Sequence, residues 1–290
     1  MTAAGEHPPQ PVPQRDVRVR RVRFAHPDGA LRHHYVDGDL VTSHAIAVLS
    51  ATFPPGEDFF VRAVGRYRDQ ITDPELAAQV RGFIGQEVVH GREHDHLNRV
   101  LQRMGYPTAL THRFIERVLA LFDRRLPPRV LLGFTAGLEH YTATIAERLL
   151  TSPEAQALLG DTQVREILLW HALEESEHKA VAFDVYRTVG GSEHMRIWTM
   201  RVISTLLILH VITGTALSML TDRAAYNPVR LARSLARLRR SPFLAREVVH
   251  HLRAYNRRGF HPDDFDSAEL LARWQAELFG PQGTLTGYLK

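Results

Sequence analysis

The stretch "GFIGQEVVHGREHDHLNRV", residues 82–100, combines three histidines and three acids with apolar residues at helical spacing. Because residues three and four apart share one face of a helix, this spacing predicts a single stripe. Its ends are apolar and its centre is ionisable, and its members are Phe83, Glu87, His90, His94, Leu97 and Leu101. An unpaired carboxylate buried at that centre would cost several kcal/mol. The centre therefore needs a partner, and the Glu87-x-x-His90 spacing lets one helical turn hold a metal ion.

A second Glu-x-x-His pair, Glu175 and His178, occurs in "LWHALEESEHKAVAFDVY", residues 169–186. Its predicted stripe is again polar only in the middle. Two further predicted helices each offer one glutamate on an apolar face, Glu57 in "PPGEDFFVRAV" and Glu139 in "LLGFTAGLEHYTATIAERL". One pair alone is weak evidence, whereas two pairs and two matching glutamates form a specific pattern.

The ordered set is Glu, Glu-x-x-His, Glu, Glu-x-x-His on four successive helices. This is the ligand pattern of the ferritin-like, carboxylate-bridged dimetal site. Four carboxylates and two imidazoles balance the charge of two divalent cations held about 3.5–4 Å apart. A carboxylate-rich set favours two iron ions, with manganese or zinc as alternatives. The competing interpretation is a network of buried ion pairs that only imitates a metal site.

Several neighbours are candidates for supporting roles. His171 lies four residues before Glu175 on the same face, so it is either an additional ligand or a hydrogen-bond donor behind the ligands. His94 is predicted to lie behind the ligands. Glu174, four residues before His178, competes with Glu175 as the ligand, but the Glu-x-x-His parallel favours Glu175 and leaves Glu174 behind the ligands. His44, one predicted helix before Glu57, is either at the mouth of the site or a satisfied buried polar residue. Two residues point off the stripes and are predicted to be solvated or paired: His140 and Glu177.

The chain beyond about residue 39 reads as helical. Candidate helices span residues 40–53, 57–70, 74–104, 113–125, 128–150, 161–189 and 196–220, with two or three more up to about residue 279. The proline pair in "FPPGE" is interpreted as a break between the first two. The predicted fold is all-α: a ferritin-like four-helix bundle over residues 39–192 and a C-terminal helical extension over residues 193–290 packed on it.

The first 38 residues are predicted to form a disordered or extended N-terminal arm. The start, "MTAAGEHPPQPVPQ", is polar and proline-rich, which is typical of neither a signal peptide nor a transit peptide. A cytoplasmic protein is therefore expected. The 290 residues include no cysteine, which excludes disulfides, cysteine-ligated zinc, iron–sulfur clusters and thiol nucleophiles.

Residues 202–220 contain no charged side chain, and this length approaches a membrane span. A fully buried bundle helix is the favoured interpretation, ahead of a membrane-surface or homodimer-interface helix and of a true span. Residues 223–258 hold ten arginines against one acid. A solvated helix face is favoured there over contact with anionic lipid. No helix-turn-helix pattern supports a nucleic-acid partner.

The motifs resemble those of a bacterial, ferritin-like family catalogued as predicted metal-dependent hydrolases. The resemblance covers roughly residues 43–266 and rests on "SHAIAVLSATFPPGEDFF", "FIGQEVVHGREHDHLN", "GLEHYTA", "WHALEESEHKAVAFDVY" and "RRGFHPDDFD". The ligands that it implies are Glu57, Glu87, His90, Glu139, Glu175 and His178.

Three functions are compatible with these features. The main expectation is an O₂-dependent diiron oxidase or oxygenase acting on a small or lipid-like substrate, because typical catalytic zinc sites hold one activated water with only three ligands. The alternative is metal-dependent hydrolysis of an ester or phosphoester. The second alternative is a non-enzymatic iron-binding protein.

Overall fold

A computed structural model describes residues 13–25, 29–160 and 162–290 of the chain. These residues contain helices and no strand, apart from an isolated antiparallel bridge between Val22 and Leu289. The predicted all-α class, a bundle with additional C-terminal helices, is confirmed. The helices are α1 (Leu40–Gly65), α2 (Pro74–Arg103), α3 (Thr108–Arg125), α4 (Pro128–Thr151), α5 (Pro153–Leu159), α6 (Gln163–His178), α7 (Val181–Thr188), α8 (Glu193–Met219), α9 (Pro228–Leu238), α10 (Arg246–Ala254) and α11 (Ala268–Phe279).

The bundle is formed by α1, α2, α4 and the α6–α7 pair. Helix α1 packs along α2, α4 packs along α6, and contacts between α1 and α4 and between α2 and α6 close the bundle. Helix α3 crosses α1, and α8 covers α1 and α4 from outside. The last three helices pack separately, α9 on α1, α10 on α4 and α11 on α6. The interior therefore lies between four helices, where the predicted ionisable stripes meet.

The predicted break at Pro54 and Pro55 is wrong, because α1 continues through both prolines. Pro54 has no N–H to donate to the carbonyl of Ser50, which a helix interior normally requires. The side-chain amide of Asn98 on α2 donates to that carbonyl instead, at 2.9 Å. A tertiary hydrogen bond thus replaces the missing helical one. The candidate helix 40–53 and most of the candidate helix 57–70 form one element, which ends at Gly65.

The predicted single helix over residues 161–189 is interrupted. Helix α6 ends at His178 and α7 begins at Val181, with Lys179 and Ala180 in a turn between them. The Lys179 ammonium donates to Glu147 and to the carbonyl of Phe265, which ties this turn to α4 and the C-terminal part. Asp161, the first residue of that predicted helix, lies outside the described residues.

Residues 13–25, here called the N-terminal arm, run extended along α2. They fit closely, because a Cβ added at Gly82 of α2 would lie 2.1 Å from the carbonyl oxygen of Val17. Val22 and Phe24 of the arm are buried in the core around Trp170. The predicted disordered tail lies, over residues 1–12, outside the described residues.

The favoured interpretation of residues 202–220 as a fully buried helix is wrong. Helix α8 is long and apolar enough to cross a membrane, yet only 17% of its apolar window is buried. One side packs on α1 and α4, where Gly133 and Gly137 allow close approach to Thr199 and Ile203. The other side has no protein element over it among the described residues, and its large apolar side chains are exposed.

Candidate metal centre

All six predicted ligands converge in the middle of the bundle. Helix α1 contributes Glu57, α4 contributes Glu139, and each Glu-x-x-His pair comes from one turn of α2 or α6. All six side chains are buried, with at most 3% of any residue's surface exposed. The stripe geometry therefore brings together the residues that it selects. That they bind metal stays a prediction.

The ring of His178 points its Nε2 into a group of three carboxylates. This nitrogen lies 3.1 Å from Glu87 Oε1, 3.2 Å from Glu139 Oε2 and 3.6 Å from Glu175 Oε2. On the other side of the ring, Nδ1–H donates to Gln86 Oε1 at 2.8 Å. In the neutral ring, that hydrogen bond selects the tautomer whose Nε2 is able to bind a metal. Burial alone would lower the pKa of His178, but Glu175 and Glu139 outweigh it and raise that pKa well above its usual value, so a metal ion would replace a proton on Nε2.

The ring of His90 is oriented the opposite way. Its Nε2–H donates to Glu174 Oε2 at 3.0 Å, and its Nδ1 faces Glu175 Oε1 at 3.6 Å. Glu174 in turn accepts from Arg20 of the N-terminal arm at 3.2 Å. The predicted supporting role of Glu174 agrees with this geometry, and His90 would bind a metal through Nδ1.

His171 lies inside the cluster. Its Nε2 is 2.7 Å from Glu175 Oε1 and 3.7 Å from Glu57 Oε1. Its Nδ1 is hydrogen-bonded to His94 Nε2 at 2.7 Å, and His94 Nδ1 is hydrogen-bonded to the Ser50 hydroxyl at 3.0 Å. His171 therefore has the position of an additional ligand, with His94 behind it.

The site contains a concentration of buried polar atoms without hydrogen-bonding partners. They are both carboxylate oxygens of Glu57, Glu87 and Glu139, Oε2 of Glu175, Nδ1 of His90 and Nε2 of His178. Nearly all buried polar atoms in proteins are satisfied, because an unsatisfied one loses its hydration without return. Every predicted ligand contributes at least one such atom, and these atoms face one another. Divalent cations would satisfy all of them at once, so the donor set fits a metal pair.

Two overlapping groups of donors define where the cations would lie. Donor atoms of Glu57, Glu87 and His90 lie within 4.8 Å of one another, and so do those of Glu87, Glu175 and His178. Glu87 belongs to both groups, and the two oxygens of Glu175 face different histidines. We call these the His90 position and the His178 position. A carboxylate between two positions is the usual bridge of a dimetal site.

The electrostatics of the cluster show an excess of buried negative charge. Burial, and then repulsion from Glu175 or Glu139, raises the pKa of Glu57 and of Glu87 well above its usual value. Burial and the charge of Glu175 raise the pKa of Glu139 to about 7. Burial also lowers the pKa of His90 well below its usual value. Bound cations would lower the raised pKa values of these carboxyls and would keep the imidazoles neutral.

Aromatic rings surround the polar cluster. The ring centroid of Phe83 lies 4.9 Å from that of His178, Trp170 lies 4.9 Å from His90, and Phe53 lies 5.0 Å from His171. These rings limit rotation of the imidazoles and exclude water from their faces. The low local polarity strengthens every electrostatic interaction at the centre.

A cleft of about 620 Å³ between α1, α2 and α3 reaches this cluster from outside. Glu87 and Gly91 form part of its wall. A Cβ added at Gly91 would lie 3.2 Å from Glu57 Oε2, so the glycine leaves a gap beside a ligand. The rest of the lining is mixed. Its apolar members are Pro54, Pro55, Val61, Val88, Leu119 and Ala120, and its ionisable members are Asp58, Arg62, Arg92, Asp95, His112, Glu116, Asp123 and Arg124.

Sequence reasoning missed the network that supports both histidines. Arg20 donates to Glu177 at 2.6 and 2.7 Å, and Gln86 Nε2 donates to the same carboxylate at 2.9 Å. Glu177, predicted to be solvated or paired, is buried and paired. A usable signal was present, because Glu174 and Glu177 lie three apart on a buried helix and require a cation.

His44 does not lie at the mouth of the site. Its Nδ1 is hydrogen-bonded to Ser218 at 2.7 Å and its Nε2 to Asp222 at 3.2 Å, both in or just after α8. His33 and His34 reach the same Asp222 oxygen. Because α1 is continuous, His44 lies more than three turns before Glu57 along one axis. It thus corresponds to the alternative of a satisfied buried polar residue.

The comparisons with known proteins agree with a metal centre. No curated protein and no solved structure shows significant similarity to the chain. One family model, described as "Predicted metal-dependent hydrolase", matches residues 18–266. The match includes the six converging residues and the arm residue Arg20. The chain therefore belongs to the family of predicted metal-dependent hydrolases, as the resemblance of its motifs indicated.

Proposed function

We propose that the chain is a dimetal enzyme that hydrolyses an ester or phosphoester in the cleft between α1, α2 and α3. The observation that carries the proposal is the set of unsatisfied donor atoms on four facing helices. The family description supports hydrolysis rather than the oxidase expected from the ligand set. The charged lining of the cleft also suits a polar substrate better than a purely apolar one.

The metal ligands in this proposal are the six converging residues, with His171 as a seventh at the His90 position. Bound divalent cations supply an activated water and stabilise developing negative charge. The chain's own residues do the rest. Gln86 and Glu174 hold the two imidazoles in the tautomers that bind metal. Acidic and basic side chains occur together on the cleft wall and offer hydrogen bonds to a polar substrate, and the aromatic rings exclude bulk water from the imidazoles.

O₂-dependent oxidation is the second candidate, and one observation favours it. Four glutamates and two histidines from two Glu-x-x-His helices are the donor set of ferritin-like diiron proteins. Such a set suits iron, whereas zinc hydrolases use fewer carboxylates. That the bundle is of the ferritin-like type is part of this second candidate.

The decisive experiment combines metal analysis with two assays on protein loaded with iron, manganese or zinc. Nitrophenyl esters and phosphoesters are offered without O₂, and O₂ uptake is measured separately on the reduced iron form. Hydrolysis without O₂ that is lost in Glu175→Ala and kept in the exposed control Glu269→Ala supports the proposal. A visible absorption of the iron form that disappears on reduction, with O₂ uptake and no hydrolysis, supports the second candidate. Protein that binds iron but does neither is an iron-binding protein.

A further inference from the structure

Helix α8 presents an apolar face that no described residue covers. Trp198, Leu206, Leu209, Ile212 and Leu217 on this helix are between 41% and 64% exposed. Leu220, just after the helix, is also exposed. Isolated exposed leucines are common, whereas a continuous row of this length marks an interaction surface. We call this row the α8 face.

The polar side chains within the α8 face need no outside partner. The Thr205 hydroxyl donates to the carbonyl of Arg201 at 3.0 Å, and the Thr213 hydroxyl donates to that of Leu209 at 2.6 Å. Both groups are satisfied by their own helix. The face between Thr205 and Leu217 therefore suits a hydrocarbon environment.

A basic amphipathic helix follows directly. Between residues 223 and 240 there are six arginines and no acid. On α9, Ser234 is buried against Asp39, the residue that caps α1, and Leu231 and Leu238 on the same side are partly buried where α9 packs on α1. The arginines on the other side are exposed, for example Arg233 and Arg237, and they add positive charge to the segment that follows the α8 face. This second observation gives the surface a charge preference as well as an apolar one.

Helix α8 cannot leave the protein to span a bilayer without disrupting the bundle. Its inner side carries His210, which is hydrogen-bonded to Thr52 of α1 at 2.9 Å. A Cβ at Gly214 would lie 3.0 Å from Val48, also on α1. Because α1 carries Glu57, a span would draw the charged bundle into hydrocarbon. The helix is placed to lie along a surface.

We propose that the α8 face and α9 dock the chain on a bilayer that contains anionic lipid. The apolar side chains enter the headgroup region, and the arginines meet lipid phosphates. A second copy of the chain would bring a second arginine cluster to the same contact without acids to balance it. The charge of this region therefore favours the anionic bilayer over a homodimer. The proposal does not depend on which reaction the metal centre performs.

The test measures co-sedimentation of metal-loaded protein with two kinds of vesicle, phosphatidylcholine alone and phosphatidylcholine with phosphatidylglycerol. We expect binding to the second kind that weakens with salt. The double change Leu209→Glu/Ile212→Glu should lower the partition coefficient at least about tenfold. Arg233→Gln/Arg239→Gln should lower it by roughly thirtyfold, from about 1 kcal/mol per arginine. Leu289→Glu, at a similarly exposed leucine beside the N-terminal arm, should change nothing.

Three outcomes would overturn the proposal. The first is no binding to either vesicle by folded, metal-loaded protein. The second is a dimer in solution, measured by light scattering, that Leu209→Glu/Ile212→Glu dissociates, since the face then belongs to a second copy. The third is equal, salt-independent binding to both vesicles, which would remove the role of the arginines. Metal content of each variant shows that the bundle is intact.

Discussion

The two Glu-x-x-His turns have the same spacing and face the same centre, yet they present opposite ring nitrogens. His178 directs Nε2 to the carboxylates and donates from Nδ1 to the amide of Gln86. His90 directs Nδ1 inward and donates from Nε2 to the carboxylate of Glu174. A repeated motif therefore does not produce two equivalent metal positions. The residue behind each ring decides which nitrogen is available.

The residues behind the rings also differ in charge. Glu174 is an acid held by Arg20, whereas Gln86 is neutral. A carboxylate behind an imidazole makes it a more basic ligand. The His90 position has a further imidazole, His171, which the His178 position lacks. The two positions should therefore differ in affinity, with the His90 position richer in nitrogen donors.

The largest effect should come from Glu175→Ala, because this side chain serves both positions. Its Oε1 faces His90 and His171, and its Oε2 faces His178. We expect loss of both metal ions, measured as metal content per chain by mass spectrometry. Glu269→Ala, at an exposed position on α11, is the control. Unchanged metal content in Glu175→Ala would show that the cluster is a network of ion pairs.

Removing one histidine should separate the positions. His171→Ala should empty or weaken only the His90 position, and His178→Ala only the His178 position, so each variant falls from about two ions to about one. Anomalous diffraction from crystals of each variant would identify which ion remains. Loss of both ions in both variants would mean that the two positions fill only together. The two positions would then not differ as independent metal sites.

Changes behind the rings should have smaller effects. Glu174→Gln should weaken metal binding at the His90 position by about 10–100-fold, since partners of this kind orient a ligand and tune its basicity. Gln86→Leu should weaken the His178 position more than the His90 position, which Gln86 reaches only through Glu177 and Arg20. Competition with a chromophoric chelator measures both affinities. If each substitution weakened metal binding equally at both positions, Glu174 and Gln86 would not support one position each.

The smallest expected effect concerns stability near Ser50, which supports His94. Asn98→Ala leaves the Ser50 carbonyl without its donor and should cost about 1–3 kcal/mol in the free energy of unfolding. Pro54→Ala restores a backbone N–H that can donate to that carbonyl. The double variant should therefore lose less stability than Asn98→Ala alone, as measured by urea unfolding of the metal-loaded protein. A loss equal to that of Asn98→Ala alone would show that the carbonyl was not the cause.

Much of the centre could be predicted because helical spacing alone determines which side chains share a face. That rule selected Glu57, Glu87, Glu139 and Glu175 and both histidines, and all of them converge. It could not predict which ring nitrogen faces inward, because Gln86 and Glu174 act across helices. Nor could it predict that α1 passes through Pro54, since the rescuing amide comes from Asn98 on another helix.

The exposed side of α8 shows where prediction from the sequence fails. An uncharged run of residues has the same sequence pattern whether protein or a membrane covers it. The sequence alone therefore favoured a buried helix, which is the commoner case. Only the placement of α1 and α4 shows that one side is covered and the other is not. Arg20 was missed for a related reason, because its partners lie more than 150 residues away in the chain.

The N-terminal arm contributes to the predicted metal centre from outside the four ligand-bearing helices. Arg20 belongs to no helix, yet its guanidinium is buried and neutralises Glu174 and Glu177 behind the two histidines. Undocking of this segment would leave both buried carboxylates without their guanidinium. We therefore expect the rate at which the arm undocks to limit how fast a bound metal exchanges with solution. Retention of a bound metal would then be a kinetic property, encoded outside the motifs that are predicted to bind it.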